Sequence, residues 1–215
     1  MLNRAYEDLK YLLNRGYRKK IALDFVGNHY RLTIRQRHLL ARCVFSDEWI
    51  QRVGEKVLRP ENLRGAVLGV DGFNVIITLE SIIKGRAIIC EDGFVRDLEY
   101  RKRYRPTEKA QESVNLVAET LSELQVGKAV FFYGASNPRS GEVRRITERA
   151  LERHGIDGEV RLVRAPDFEL KSFEYVATAD VAIMEKVQGV FDLARHAGRN
   201  FKIPHFKEVL NEPRF

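Results

Sequence analysis

Three aspartates, Asp71, Asp167 and Asp180, each follow a short apolar run. Asp71 closes Ala66-Val67-Leu68-Gly69-Val70. Asp167 comes after Glu159–Val163 and the turn Ala165-Pro166. Asp180 comes after Phe173–Ala177 and Thr178-Ala179. An apolar run stopped by a turn signal reads as a buried parallel strand. In open α/β sheets ligands bind at the carboxyl ends of the strands. If neighbouring strands carry these residues, three carboxylates share one cleft. Like charges so placed are unfavourable unless a divalent cation neutralises them, and hard oxygen donors select Mg²⁺ or Mn²⁺. The chemistry such a set supports is metal-assisted hydrolysis of a phosphodiester. The alternative for each acid alone is a helix N-cap.

Other residues are candidates for completing the site. Glu142 and Asp97 compete as a further acid, and Asn74 is placed to hold Asp71 or a water. The polar loop Gly134–Gly141 follows another apolar run, Lys128–Tyr133. Its Ser136, Asn137, Arg139 and Ser140, with the amides of the next helix, suit a phosphate. Ordinary capping by Ser140 is the alternative. In residues 96–106, Arg101, Lys102, Arg103 and Arg105 alternate with Tyr100 and Tyr104. Cations meet phosphates and aromatic faces stack bases, so the segment suits single-stranded nucleic acid. A solvated loop is the alternative.

The elements that must position these residues follow from periodicity. From residue 66 onward the pattern is strand, helix (about 74–84), small hairpin at Glu91-Asp92-Gly93, helix, strand, helix, strand, strand, helix. That predicts α/β architecture with a mainly parallel sheet flanked by helices. Residues 1–60 predict a small all-α domain of four helices. Gly16 ends the first, Gly27-Asn28 breaks the second, Thr33 caps the third, and Ser46 caps the fourth, which Arg59-Pro60 closes. The domains are therefore 1–60 and 61–215.

The net charge is +7, with 37 Lys/Arg against 30 Asp/Glu. Residues 1–60 hold 13 Lys/Arg and 6 Asp/Glu, while 61–215 hold 24 of each. The whole excess thus lies in the helical part, which points to a polyanionic partner. No stretch approaches a membrane span, and the N-terminus is charged where a signal peptide is apolar. A cytoplasmic protein is expected, with no membrane partner. Cys43 and Cys90 are too few for a disulfide framework.

Val70-Asp71-Gly72-Phe73-Asn74 resembles the first motif of PIN-like nucleases, the NYN branch in particular, where a strand ends in Asp-Gly-x-Asn. Asp167, followed by Val176-Ala177-Thr178-Ala179-Asp180, is similar to their later acids, the second in a strand-end Thr-x-Asp. The whole chain is similar to a largely archaeal family that joins a basic helical domain to this PIN-like domain. The resemblance covers roughly residues 64–195. It implies a Mg²⁺- or Mn²⁺-dependent ribonuclease in which Asp71, Asp167 and Asp180 hold the metal, with Glu142 or Asp97 assisting. RNA, single-stranded rather than duplex, is the expected partner, and a homodimer is compatible with the sequence. Two other readings stand beside this one: a non-catalytic RNA-binding or ribosome-associated protein, and a DNA-binding regulator with a ligand-sensing α/β domain.

Overall fold

The computed structural model describes residues 1–98 and 110–210. The Tyr100–Arg105 segment therefore lies outside the described residues.

The N-terminal part is four helices: α1 (Leu2–Asn14), α2 (Lys19–His29), α3 (Ile34–Cys43) and α4 (Asp47–Gly54). Thr33 and Gln36 form a reciprocal capping box on α3, and Ser46 caps α4 through the Trp49 N–H. These are the helix starts the sequence predicts. Helix α2 differs: it runs through Gly27 and Asn28. Gly27 leaves room for the Arg37 guanidinium, which lies over it and bonds the Leu32 carbonyl and Asn28. Helix α4 stops at Gly54, ahead of Arg59-Pro60.

The remainder alternates strands and helices. In order they are β1 (Val67–Asp71), α5 (Gly72–Ile83), β2 (Ala87–Ile89), β3 (Val95–Asp97), α6 (Ala110–Glu123), β4 (Lys128–Gly134) and α7 (Ser140–Arg153). There follow β5 (Gly158–Val163), α8 (Pro166–Leu170), β6 (Tyr175–Ala177), α9 (Val181–Met184), β7 (Gly189–Phe191), α10 (Leu193–Ala197) and α11 (Phe206–Val209). Five strands form one parallel sheet in the order β5-β4-β1-β6-β7, and β2 with β3 makes a separate antiparallel hairpin. The α/β expectation is met.

β1 is the centre of that order. The chain steps outward on one side through β4 and β5, then on the other through β6 and β7. Such a reversal splays the flanking connections apart and opens a crevice at the carboxyl ends. The crevice here lies between β1 and β6.

Both faces of the sheet are covered. Leu68, Val70, Phe131, Tyr133 and Phe191 pack with α5, α6, α7 and α10. Val130, Phe132, Val176 and Val190 pack with α8, α9, α11 and the N-terminal helices. The basic helices therefore share a core with the sheet. Polar contacts reinforce this. Leu58 N–H donates to Val190 O at 2.8 Å, and Val190 N–H to Lys56 O at 2.8 Å. Glu91, beyond β2, accepts from Tyr6 Oη at 2.6 Å and from the Phe45 N–H at 3.0 Å.

Candidate functional site

Asp71 is the last residue of β1 and the N-cap of α5. Its capping bond is long: the Asn74 N–H reaches Oδ1 at 3.5 Å. The better bond comes from just beyond the neighbouring strand β6, where Thr178 Oγ1 donates to Oδ2 at 3.0 Å. The same threonine oxygen accepts the Asp180 N–H at 3.0 Å. Asp180 in turn caps α9, its Oδ1 accepting from Ala182 and Ile183 N–H at 2.8 and 3.3 Å. One chain of hydrogen bonds thus joins Asp71 to Asp180 across the crevice.

The backbone between them is gripped from both ends of one residue. Asn74 Oδ1 accepts the Ala179 N–H at 2.9 Å. Arg96 Nε donates to the Ala179 carbonyl at 3.0 Å. Arg96 is buried, and Asp92 holds it in a two-pronged pair at 2.7 and 2.5 Å. Asn74 therefore fixes the backbone beside Asp180. The sequence signals neither this role nor that of Arg96, because both depend on contacts across the fold.

The electrostatics of the crevice are strained. Burial pushes the Asp71 carboxyl up to about 7; the negative charges of Asp180 and Asp167 push the same way, while the Thr178 and Asn74 bonds oppose them. A buried carboxylate facing further carboxylates lacks a counter-charge. Behind it stands Tyr133, fully buried, its hydroxyl 2.8 Å from Thr147 Oγ1 and its own ionisation pushed up by burial.

Asp167 is not at a strand end. Pro166 occupies the first turn of α8, where its missing N–H costs nothing, and Asp167 follows it as an exposed first-turn acid. β5, the strand before it, is the far edge of the sheet. Helix α8 returns across β4 and β1, which brings the Asp167 charge within range of Asp71. Gly69 allows this: a Cβ there would stand 2.8 Å from Phe173 and 3.2 Å from Leu170.

The β4–α7 loop flanks the crevice on its other side. Ser140 is buried, and its hydroxyl donates to the Asn137 carbonyl at 3.0 Å, closing a turn rather than capping α7. The N-cap of α7 is Arg139, at φ 63°, without a side-chain capping bond. Arg139 pairs with Glu142 at 2.6 Å on the surface, so Glu142 faces Arg139. Ser136 is exposed in the same loop, and the Asn137 N–H donates to the Gly134 carbonyl at 3.1 Å. Asp97, the competing acid, is buried and accepts from Ser81 Oγ at 2.8 Å. Ser81 lies two turns along α5 from Asn74, about 10 Å of helix.

A further acid, Asp192, follows β7 as the N-cap of α10 and is not among the sequence candidates. It accepts from the Val95 N–H at 2.7 Å and the Arg195 N–H at 2.9 Å, and burial lifts it to about 6. A cavity of about 450 Å³ opens beside it, lined by Leu58, Ile89, Phe191 and Arg195 among others. Among the described residues, no three or more His, Cys, Asp or Glu side chains are grouped closely enough to hold a metal ion. No described helix is long and apolar enough to cross a membrane.

Comparison with known proteins places this geometry in a family. Residues 1–56 match the model of a family described as a protein of unknown function, DUF434. Residues 60–196 match that of a domain of unknown function, DUF5616. An uncharacterized protein of Methanocaldococcus jannaschii, MJ0935, is 38% identical over 201 residues, which cover 91% of this chain and 96% of that one. No solved structure matches the chain. The DUF5616 match spans more than half of the chain and includes Asp71, Asp167 and Asp180, so the chain belongs to the DUF5616 family.

Proposed function

We propose that the protein is a metal-dependent endoribonuclease acting on single-stranded RNA, with the β1–β6 crevice as its active site. The observation that carries this reading is Asp71: a half-buried carboxyl whose desolvation pushes it up to about 7, with Asp180 and Asp167 adding negative charge from two other elements. Keeping a desolvated carboxyl within range of two further negative charges costs stability, and a fold that needed only caps had cheaper residues available.

The donor set fits a hard divalent cation in kind, being carboxylate oxygen with unbalanced negative charge. Asp71 and Asp180 would hold Mg²⁺ or Mn²⁺, with Asp167 contributing charge from α8. Bound there, the ion supplies Lewis acidity toward a phosphoryl oxygen and a more acidic water. The chain's own residues do the rest. Thr178 orients Asp71, and Asn74 with Arg96 fixes the Ala179 backbone so that Asp180 keeps its place. Arg139, on the flanking loop, meets the phosphate. Its surface pair with Glu142 is worth little, so exchanging that carboxylate for a phosphate is cheap. Ser136 and Asn137 stand in the same loop. The basic N-terminal helices extend the surface along the RNA backbone.

The test compares parent and Asp71→Asn on single-stranded RNA in Mn²⁺. The substitution keeps shape and removes the charge. Loss of cleavage with RNA binding retained is expected; equal cleavage by both proteins overturns the assignment.

One observation favours a second reading, a non-catalytic RNA-binding protein: among the described residues the acids are not grouped closely enough for a metal ion. On that reading neither protein cleaves, and both bind RNA alike with the same salt dependence.

A further inference from the structure

Cys43 is the last residue of α3, and Cys90 directly follows β2. One belongs to the N-terminal helices, the other to the hairpin of the α/β part. Both side chains are fully buried, and their sulfurs lie 3.1 Å apart. The backbones are tied as well, since the Glu91 N–H donates to the Cys43 carbonyl at 3.1 Å. Two thiols 47 positions apart in sequence are thus held in register from both sides before any bond joins them.

The surroundings treat the two sulfurs differently. Burial and the neighbouring sulfur push the Cys43 thiol up. Cys90 is drawn down by its bond to Cys43 and by the Arg96 guanidinium, against the effect of burial. The Arg96 guanidinium favours a thiolate at Cys90, and a thiolate is what begins thiol–disulfide exchange.

We propose that Cys43 and Cys90 are the site of an intramolecular disulfide that fastens the N-terminal helices to the α/β hairpin. The oxidant is a low-molecular-weight disulfide. The Cys90 thiolate attacks one of its sulfurs, forming a mixed disulfide and expelling one small thiolate. Cys43, losing its proton, then attacks the Cys90 sulfur and expels the second. Two protein thiols become one disulfide, and the oxidant, taking two electrons and two protons, becomes two small thiols. Because both sulfurs are buried, exchange proceeds while the chain folds or while the helices lift from the hairpin. Two cysteines are too few for a framework, but one bond at this seam closes a covalent loop across 47 positions that joins the two parts of the chain. The proposal is independent of the nuclease reading.

The test uses the full chain, prepared reduced, in two arms. One sample is held native in millimolar oxidised glutathione, and the other is refolded from denaturant in the same buffer. Each is then denatured with iodoacetamide and no reductant. The expected result in the refolded arm is an unalkylated protein, lighter by two hydrogens, giving one Cys43–Cys90 linked peptide. Its Tm should exceed that of the reduced protein by at least about 5 °C. The Cys43→Ser variant should lose this response to reductant. Alkylated or glutathionylated cysteines in both arms, or a link between two chains, overturn the proposal.

Discussion

Thr178 donates its hydroxyl to Asp71 Oδ2 at 3.0 Å, across 107 positions of sequence. The donor sits just beyond β6 and the acceptor ends β1, so the bond spans the crevice where the sheet order reverses. Because the same oxygen accepts the Asp180 N–H, one hydroxyl sets the relation between two carboxylates. Thr178→Val keeps the shape and deletes both bonds. The Asp180 N–H, only part-buried, loses its acceptor, which costs about 1 kcal/mol. RNA cleavage in Mn²⁺ should fall about 10- to 100-fold, the usual effect of losing a residue that supports a ligand. Steady-state kinetics on a fixed oligonucleotide check this, with circular dichroism to establish the fold. Unchanged kinetics would remove Thr178 from the site.

The raised Asp71 carboxyl has a consequence for stability. Burial holds it at about 7 in the folded chain, well above the 3.8 of an ordinary aspartate. Between those values the folded state binds a proton that the unfolded state has released, so metal-free stability falls as pH rises from about 4 to 7. The loss is on the order of 2–4 kcal/mol, allowing for partial solvent access. Above pH 7 this contribution is constant. Asp192, lifted to about 6, adds a decline in the same direction over the lower part of that window. Asp71→Asn should flatten the decline. Urea denaturation of both proteins at a series of pH values measures it, and parallel curves would contradict the desolvated carboxyl.

Much of the architecture could be read from the chain because four of the five sheet strands announce themselves; β7, a three-residue strand, does not. Ala66–Val70 and Lys128–Tyr133 are short apolar runs with turn chemistry after them, and Thr33 and Ser46 start their helices by local bonds. Asp71 and Asp180 were legible for the same reason. Asp167 follows its strand as the sequence predicts, but that strand, β5, is the sheet's far edge and not a neighbour of β1, and it is α8, started by Pro166 at N1, that carries the acid back toward Asp71. The buried Arg96–Asp92 pair and its hold on Ala179 leave no mark in the sequence, since they depend on a hairpin docking against β6 and α9. Asp192 was hidden by its apolar neighbours.

Gly72 illustrates the difference between a turn signal and a packing demand. It follows Asp71 where the strand gives way to α5, and it has no left-handed backbone. A Cβ at this position would collide with the Tyr133 ring. That ring cannot yield easily: it is fully buried, its hydroxyl is bonded to Thr147, and it packs edge-on against Phe73 at 4.9 Å. Gly72→Ala should therefore destabilise by about 1–3 kcal/mol through overpacking, despite alanine's better helix propensity. It should also tilt the start of α5 and disturb Asp71, so cleavage should fall together with stability. Thermal melts with parallel activity assays check both. A stabilised Gly72→Ala would mean that propensity, not packing, governs the position.

The seam between the helices and the α/β part offers the last test. Glu91 has only 5% of its side chain exposed, and it receives Tyr6 Oη at 2.6 Å, Phe45 N–H at 3.0 Å and Lys10 Nζ at 3.3 Å. Glu91→Ala strips an acceptor from all three donors. Lys10 keeps Asp47 at 2.8 Å and the Phe45 carbonyl at 2.7 Å, so its charge remains paired. Tyr6 and the Phe45 amide bear the loss, which should cost about 2–4 kcal/mol. Glu91→Gln keeps an acceptor and should cost less. Trp49, the single tryptophan, stacks on Phe45 at 4.3 Å and bonds Glu185 at 3.3 Å, so its fluorescence reports on this seam. In the parent, fluorescence and circular dichroism should follow one unfolding transition, because the helices and the sheet share a core. In Glu91→Ala the fluorescence change should come at lower urea than the loss of sheet and helix signal. Coincident, unshifted curves in that variant would show that burial alone holds the helices in place.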